Sequence, residues 1–396
     1  MAYQPAMSIR DKTGALAEVT RYGQLVTAKR KDDILCRFEY NNSTKDVTTV
    51  VSGTGAASNA TSQAHAESGT GVGACDFATV SIATYRPAHE MYAYGSVVFT
   101  TAEANSTQYW GPIDATDGYM FNYSGTTFGM TLRKNTVDTF VARADWDDPC
   151  LLGDTVTGFV LDPTKNNQYK IDYGWLGIAP VSFYVYGGKT HGWILVHTID
   201  YTNTQTTPSI LSPSFKIKWG SSRTSGTGAN LKVSVGCVAG GSYGEEHAHS
   251  GHRVFAGSSA KTLGAGVTTL VAAFRNKSTH QSKTNKVPAE AVFMGASTDG
   301  SKSVRFALIS NATITGGAWS DVDTADSVME INTTATVSGG TEEMIVPMAK
   351  VDTLALDLGS GHIHLELFPG ESMSIVALSA TGNDVEVSFR WEEYFS

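Results

Sequence analysis

The stretch from Leu161 to Phe215 alternates polar with apolar or aromatic residues at period two and carries no helical periodicity. Every second residue along two segments is apolar or aromatic: Tyr169, Ile171 and Tyr173, then Val181, Phe183 and Val185. The positions between them hold Lys170, Asp172 and Gly174, then Ser182, Tyr184 and Tyr186. Successive side chains of a β-strand point to opposite faces, so this pattern predicts half-buried strands. Gly187-Gly188 predicts a tight turn, and Ile194 to Ile199 the returning strand.

The composition extends this interpretation to the whole chain. Forty glycines against 11 prolines, with 16 Tyr and 16 Phe, are typical of many short strands joined by turns. A hydrophobic content of 41% excludes a disordered chain. We therefore predict an all-β protein of two β-sandwich, jelly-roll-like domains. Only 17% of the residues are charged, which favours surfaces that pack against copies of the same chain.

Turn-rich segments divide the chain into three parts. Residues 1–40 carry short strand-like pieces without a core of their own, and we predict an extended N-terminal arm that docks on a partner. Residues 41–240 form the first predicted sandwich and residues 241–396 the second, because Ala239–His252 interrupts the rhythm of strands. At the C-terminal end, the alternation of Met373 and Ile375, and then of Val385 and Val387, predicts a hairpin.

Net charge and the search for targeting signals limit the classes of partner that the chain is expected to bind. The net charge is -9, and the basic run Lys29-Arg30-Lys31 is followed at once by Asp32-Asp33, so we expect no nucleic-acid partner. We find no secretory signal pattern and no apolar run near the ~20 residues of a membrane helix, so we expect no membrane insertion. Four scattered cysteines without a CxxC pair favour reduced thiols in a protein assembled in the cytoplasm.

Aromatic residues supply one candidate binding site. Tyr119 and Phe121 share one face of a predicted strand in Gly118–Met130, and Trp175 lies in the glycine-rich part of the opening stretch. Exposed rings of this kind can stack on the C–H faces of sugars, which makes these three residues a candidate ligand platform. The alternative is that the rings are core residues, because each aromatic side chain buries ~150–250 Å² when packed.

Histidines supply a candidate metal site. His247 and His249, followed by His252, lie in the sequence HAHSGH, and alternate histidines on a strand share one face. In a trimer, such a pair from each chain offers six imidazoles, an octahedral set that suits a first-row transition metal such as iron or nickel. A second pair is His362 and His364. The alternative is an exposed loop, and we predict no other cofactor.

Catalysis is not expected. Glycoside hydrolysis needs two carboxylates facing one another across a cleft. The available aspartates fall in turn sequences, where such side chains usually bond their own backbone: Asp114, Asp117, Asp145, Asp147 and Asp148. No nucleophile elbow, phosphate-binding loop or HExxH motif is present.

Several segments, in order, resemble a family of virion structural proteins of tailed bacteriophages. They are Thr84–Lys134, Leu161–Val185, Val196–Phe215, Arg275–Ser297 and Pro369–Phe395. The resemblance covers most of residues 10–396, and Asn122 stands where the family favours glycine. It implies a component of the tail, baseplate, fibre or capsid, without a catalytic motif to carry over.

The sequence therefore predicts a non-catalytic virion protein that assembles in the host bacterial cytoplasm, as a homo-oligomer in contact with other virion proteins. An alternative is a carbohydrate-binding protein that attaches the particle to a host-surface glycan. A third is a tail enzyme that degrades glycans.

Overall fold

A computed structural model describes residues 30–87, 89–151, 158–187, 192–244, 252–300, 302–358 and 365–395, apart from the side chains of Trp175 and His252. The chain divides into two compact units between residues 247 and 248. Both are β-sandwiches, which confirms the predicted fold class. The only helical elements in the described ranges are the 3-10 turns Arg143–Asp145 and Trp175–Gly177. Accordingly, none of the residues described forms a helix with the length and apolar character to cross a membrane.

In its described residues, the first unit contains 15 strands. They are β1 (Arg30–Arg37), β2 (Val47–Gly53), β3 (Ala56–Ala60), β4 (Gln63–Glu67), β5 (Gly73–Thr79), β6 (Glu90–Phe99), β7 (Ser106–Pro112), β8 (Gly118–Ser124), β9 (Thr127–Lys134), β10 (Val137–Ala142), β11 (Asn167–Gly174), β12 (Val181–Gly187), β13 (Gly192–Ile199), β14 (Ile217–Arg223) and β15 (Lys232–Tyr243).

These strands form two antiparallel sheets. The first sheet has the order β13-β12-β11-β6-β15-β4-β3, and β1 also pairs with β15. The second has the order β10-β9-β8-β7-β14-β5-β2. The strands predicted between Leu161 and Phe215 are thus the neighbours β11, β12 and β13 at one edge of the first sheet.

Aromatic side chains fill the space between the two sheets. Trp219 stacks on Phe77 with ring centroids 5.1 Å apart. The Trp110 indole reaches across to the backbone of β6, where a Cβ on Gly95 would lie 2.5 Å from the ring. Glycine at position 95 therefore permits this close approach of a large ring to the opposite sheet.

The described part of the predicted arm belongs to the first sandwich. Strand β1 pairs with β15 from Arg30 to Arg37, and Ile34 and Cys36 are buried in the core of the unit. Residues 30–37 of the predicted arm therefore contribute to the core of the sandwich of their own chain, since a single strand can share the core of the sheet it joins. Residues 1–29 lie outside the described residues.

The described part of the second unit also has 15 strands, several of them short. They are β16 (His252–Thr262), β17 (Thr269–Asn276), β18 (Thr279–His280), β19 (Lys283–Thr284), β20 (Ala289–Thr298), β21 (Val304–Ser310), β22 (Thr313–Thr315), β23 (Ser320–Asp321), β24 (Met329–Asn332), β25 (Thr336–Ser338), β26 (Thr341–Met348), β27 (Asp352–Asp357), β28 (Leu365–Leu367), β29 (Ser372–Ser379) and β30 (Asp384–Tyr394).

The main sheets of this unit have the orders β16-β30-β20-β27 and β23-β24-β17-β29-β21-β26, and β28 pairs with β20. Phe274 of one sheet stacks on Phe389 of the other, with ring centroids 4.8 Å apart. Strands β29 and β30 have the predicted inward residues, but they lie in different sheets. The predicted C-terminal hairpin is therefore wrong, because alternation identifies the buried face of a strand and not its partner.

All four cysteines are free thiols. Cys36, Cys75 and Cys150 are buried, whereas Cys237 is exposed. Burial raises the pKa of Cys36 and of Cys75 to about 11. Both groups therefore stay protonated near neutral pH, as expected for cysteines that serve packing.

His65 makes the stability of the first unit sensitive to acid. Its Nδ1 atom lies 2.8 Å from the Ser234 hydroxyl and its Nε2 atom 3.0 Å from the Ala60 carbonyl. Burial, reinforced by Lys232, lowers the pKa of His65 from its ordinary 6.5. The unfolded chain therefore binds the proton more readily, and stability is lost as the pH falls below 6.5.

Replacing His65 with Gln removes this titration. Between pH 7.5 and pH 5.5, we expect the unfolding free energy of the wild type to fall more steeply than that of His65→Gln. Urea unfolding at several pH values measures both slopes. Equal slopes would contradict the assignment of a neutral buried imidazole.

Candidate functional site

The predicted ligand platform is part of the core. Tyr119 and Phe121 are both 0% exposed. The Phe121 ring lies 4.7 Å from that of Tyr169 between ring centroids, and the Tyr119 hydroxyl is 2.8 Å from the Ser209 hydroxyl. These two residues face the opposite sheet and have no open ring face, so the core alternative is correct for them. The side chain of Trp175 lies outside what the structure describes.

The predicted metal ligands fall where the structure gives no side chains. His247 and His249 lie outside the described residues, as do His362 and His364, and the His252 side chain at the start of β16 is also outside them. In the ranges described, no group of three or more His, Cys, Asp or Glu side chains is placed to hold a metal ion. The metal site at His247, His249 and His252 stays a prediction.

Asp114 and Asp148 accept hydrogen bonds from the backbone of their own turns, as predicted, whereas Asp147 accepts from a strand distant in sequence. Asp114 accepts hydrogen bonds from the backbone N–H groups of Thr116 and Asp117 at 2.7 and 2.8 Å. Asp147 accepts one from Thr198 at 2.9 Å, and Asp148 accepts one from Cys150 at 3.0 Å.

Two other carboxylates are buried and also engaged. Asp117 accepts from the backbone of Asn135 and Leu211 at 2.9 and 3.1 Å. In the second unit, Glu393 accepts from the Val328 N–H and from the Trp391 indole N–H, both at 2.8 Å. Each of these contacts fixes a loop or strand end, which is a structural role.

The outer face of the first sheet, turned away from the core, carries a cluster of rings that we call the aromatic row. Its members come from neighbouring strands and are Tyr92, Tyr94, Tyr184, Tyr186, Trp193 and Tyr243. Register places them together: Tyr94 and Tyr184 both lie opposite Lys170, and Tyr186 lies opposite Trp193. Because Tyr169 and Ile171 on the same strand point into the core, Lys170 and its partners point outward.

The rings contact one another across the strands. The Trp193 ring centroid lies 5.4 Å from that of Tyr94 and 5.5 Å from that of Tyr186. Tyr92 and Tyr243 have centroids 4.8 Å apart. These separations fall within the range of favourable aromatic pairs. The rings therefore hold one another in place along the row.

An ion pair lies beneath the rings. The Lys170 Nζ atom is 2.7 Å from the Asp172 carboxylate, and both side chains are buried. The ammonium also lies 4.0 Å from the centroid of Tyr184 and 5.6 Å from that of Trp193. Burial alone lowers the pKa of Lys170, but Asp172 and the tyrosines raise it, and the net change is upward. The lysine is therefore charged and held by both carboxylate and ring faces.

The other end of the row is tied to strand β1. The Tyr92 hydroxyl donates to the Asp32 carboxylate, and the hydroxyls of Tyr94 and Tyr243 share a hydrogen bond. Burial raises the pKa of Tyr92, and the bond to Asp32 raises it further, so the hydroxyl keeps its proton as a donor. The Arg30 guanidinium lies 5.5 Å from the centroid of Tyr94.

Exposure varies along the row. Tyr92 is fully buried, whereas Tyr94, Tyr184 and Trp193 are partly open and Tyr186 is 37% exposed. The buried polar groups of Lys170 and Asp172 thus lie beneath the row, and the rings at the Tyr186 and Trp193 end are partly exposed to solvent. Ring faces and hydroxyls presented together suit a ligand with apolar C–H faces and polar edges.

The sequence predicts a strand for Tyr184 and Tyr186. It places Tyr243 in the segment Ala239–His252 that was expected to interrupt the strands, whereas β15 continues to Tyr243. The row itself was not predicted as a site. Tyr184 and Tyr186 occupy the alternate, outward positions of β12, where a half-buried strand normally carries small polar residues. That excess of aromatic residues at outward positions is the signal that identifies the row. The departure at Asn122 has a separate reason, because its buried side chain accepts a hydrogen bond from Thr131 at 2.9 Å.

The second unit has a polar surface cavity of about 300 Å³. Two of its cations are paired with acids: Arg275 with Glu330 at 2.5 Å, and Lys277 with Asp321 at 2.7 Å. The Trp319 ring covers the Arg275 guanidinium at 4.3 Å. These pairs satisfy the charges internally, and the aromatic row remains the stronger candidate.

No protein-family model and no curated protein matches the sequence. Solved structures with a similar strand arrangement include the lectin I-B4 of Griffonia simplicifolia, with 9% identity over 53% of this chain and 99% of that chain, and a TM-score of 0.31. A lectin from Bauhinia forficata has 11% identity over 54% and 100%, with a TM-score of 0.31. A Bacillus licheniformis β-glucanase has 12% identity over 52% and 98%, with a TM-score of 0.33. Likenesses this weak carry no argument about function.

The ion pair beneath the row should be sensitive to the loss of one partner. We expect Lys170→Met to lower the unfolding free energy by ~3–5 kcal/mol, since it leaves the buried Asp172 charge without its cation. The double variant Lys170→Met, Asp172→Asn should recover most of that loss. Urea unfolding followed by fluorescence measures both.

The matched control is the exposed pair of Arg37 and Glu39, which are 3.6 Å apart. Arg37→Met should cost at most ~1 kcal/mol. A loss for Lys170→Met as small as that of Arg37→Met would show that the Lys170 pair is not desolvated.

Proposed function

We propose that this chain is a non-catalytic structural protein of a tailed-bacteriophage virion, and that its first unit binds a glycan on the host surface. The aromatic row is the observation that carries the glycan-binding part. Its half-open rings, Tyr186 and Trp193 above all, offer faces on which a sugar can stack. The virion part of the proposal rests on the five sequence segments that resemble phage structural proteins and follow one another in the same order.

A binding role fits the chemistry of the site better than a catalytic one. Its two carboxylates have partners already, because Asp172 holds Lys170 at 2.7 Å and Asp32 accepts from Tyr92. Hydrolysis of a glycoside by paired carboxylates needs one general acid and one base or nucleophile that face the bond to be broken. Both carboxylates of the row instead serve to orient neighbouring side chains.

Glycan binding is tested with an array of bacterial and plant saccharides. We expect the purified chain to bind a subset of these, and Trp193→Ala to weaken that binding by ~1–3 kcal/mol if stacking on sugars resembles stacking on nucleic-acid bases. Titration calorimetry with the best array ligand gives the affinity of each variant.

Tyr40 provides the matched control, since it is 77% exposed on the same unit and outside the row. Tyr40→Ala should leave the affinity unchanged. Thermal unfolding of each variant separates lost binding from lost folding. The glycan-binding proposal would be wrong if no saccharide on the array binds the chain, or if Trp193→Ala and Tyr40→Ala change the affinity equally.

Assembly is a separate prediction of the virion proposal. We expect a homo-oligomer, stabilised by contacts with copies and with other virion proteins, because a sparsely charged surface favours self-association. Light scattering coupled to size-exclusion chromatography measures the molar mass of the particle in solution. Protein concentrations from about 1 to 50 µM cover self-association of ordinary micromolar affinity. A monomer throughout this range would count against the proposal. Removal of residues 1–29 then tests whether the predicted arm takes part.

A further inference from the structure

We propose that the ligand of the aromatic row is an extended, uncharged saccharide chain that runs across the strands, and not a single terminal sugar. This inference rests on the proposed glycan binding and adds the length, direction and charge class of the ligand. Three observations support it: one continuous register line, its exposed apolar ends, and the balance of charge along it.

The register line crosses six strands of the first sheet. Reading laterally, the positions that lie opposite one another are Leu195, Tyr184, Lys170, Tyr94, Ala239 and Leu35. All six point to the outer face, since the residues flanking them in sequence are the ones that fill the core. With neighbouring strands about 4.8 Å apart, the line spans roughly 24 Å. That length far exceeds a single pyranose ring.

Both ends of the line are apolar and open. Leu195 is 45% exposed at one end and Leu35 is 76% exposed at the other. Between them, Ala239 is a small residue that lies opposite Tyr94. A ligand confined to the ring cluster would leave Leu35 unused, whereas a chain along the whole line covers both leucines.

In the part of the chain that the structure describes, charges of both signs contact the row. Two cations, Arg30 and Lys170, and two carboxylates, Asp32 and Asp172, are among them. Lys170 and Asp172 neutralise each other at 2.7 Å. An anionic chain would meet Asp32 and Asp172 without a surplus of positive charge, so the line suits an uncharged chain of sugars.

The test uses the sugar that binds best on the array, supplied as monosaccharide, disaccharide, tetrasaccharide and hexasaccharide. Calorimetry should give a hexasaccharide affinity at least roughly tenfold above that of the monosaccharide. Leu35→Ser and Leu195→Ser should each weaken hexasaccharide binding about threefold or more, as expected for lost apolar contact. Only one of them should affect the disaccharide, because a short ligand reaches one end alone.

Leu211 gives the control, as another exposed leucine of this unit outside the line. Leu211→Ser should change no affinity.

If array binding exists but monosaccharide and hexasaccharide bind equally, the extended-chain inference fails and glycan binding stands. If no saccharide binds, both fail together. A preference for acidic sugars over their neutral counterparts would overturn the charge class. Loss of the oligomer in Leu35→Ser, without loss of saccharide binding, would assign the line to contact between copies.

Discussion

Strand β11 is buried on both faces, and the first unit is organised around that constraint. On the inner face, Tyr169, Ile171 and Tyr173 enter the core between the sheets. On the outer face, Lys170 and Asp172 are also buried. Two opposite charges removed from water must satisfy one another with good geometry, or the fold loses several kcal/mol. The contact at 2.7 Å and the tyrosine and tryptophan faces around the ammonium meet that requirement.

The same requirement prepares the outer face for a ligand. Two of the rings around Lys170 cannot turn freely, because they also contact other rings: Tyr94 contacts Trp193, and Trp193 contacts Tyr186. At the other end, the Asp32 carboxylate and the Tyr243 hydroxyl hold Tyr92 and Tyr94 by hydrogen bonds. Side chains that are already ordered lose little entropy when a ligand arrives. A structural need, the shielding of a buried charge, thus yields a rigid surface of rings and hydroxyls.

The sequence predicts the faces of strands better than their neighbours. Alternation along β11 and β12 correctly separates Phe183 from Tyr184, because each strand carries its own inside and outside. Alternation also predicts that β29 and β30 form a hairpin, but the two strands lie in different sheets. The partner of a strand depends on contacts with residues distant in sequence. It also left Tyr119 and Phe121 open to two interpretations. Their burial depends on rings of the opposite sheet: Tyr173 packs on Tyr119, and Tyr169 and Phe183 pack on Phe121. No pattern within Gly118–Met130 contains that information.

The candidate site was hidden from the sequence for a related reason. Leu35, Tyr94, Lys170, Tyr184 and Leu195 are spread over about 160 positions and meet only because β1, β15, β6, β11, β12 and β13 are laid side by side. Each residue alone resembles an ordinary outward position on a strand. Register converts them into a line, because one step of slip along any of these strands would send its side chain into the core. The hydrophobic residues that fix the register, Met91, Ile171 and Phe183 among them, therefore also fix the geometry of the outer face. Core packing and ligand recognition are in this way two consequences of the same strand alignment.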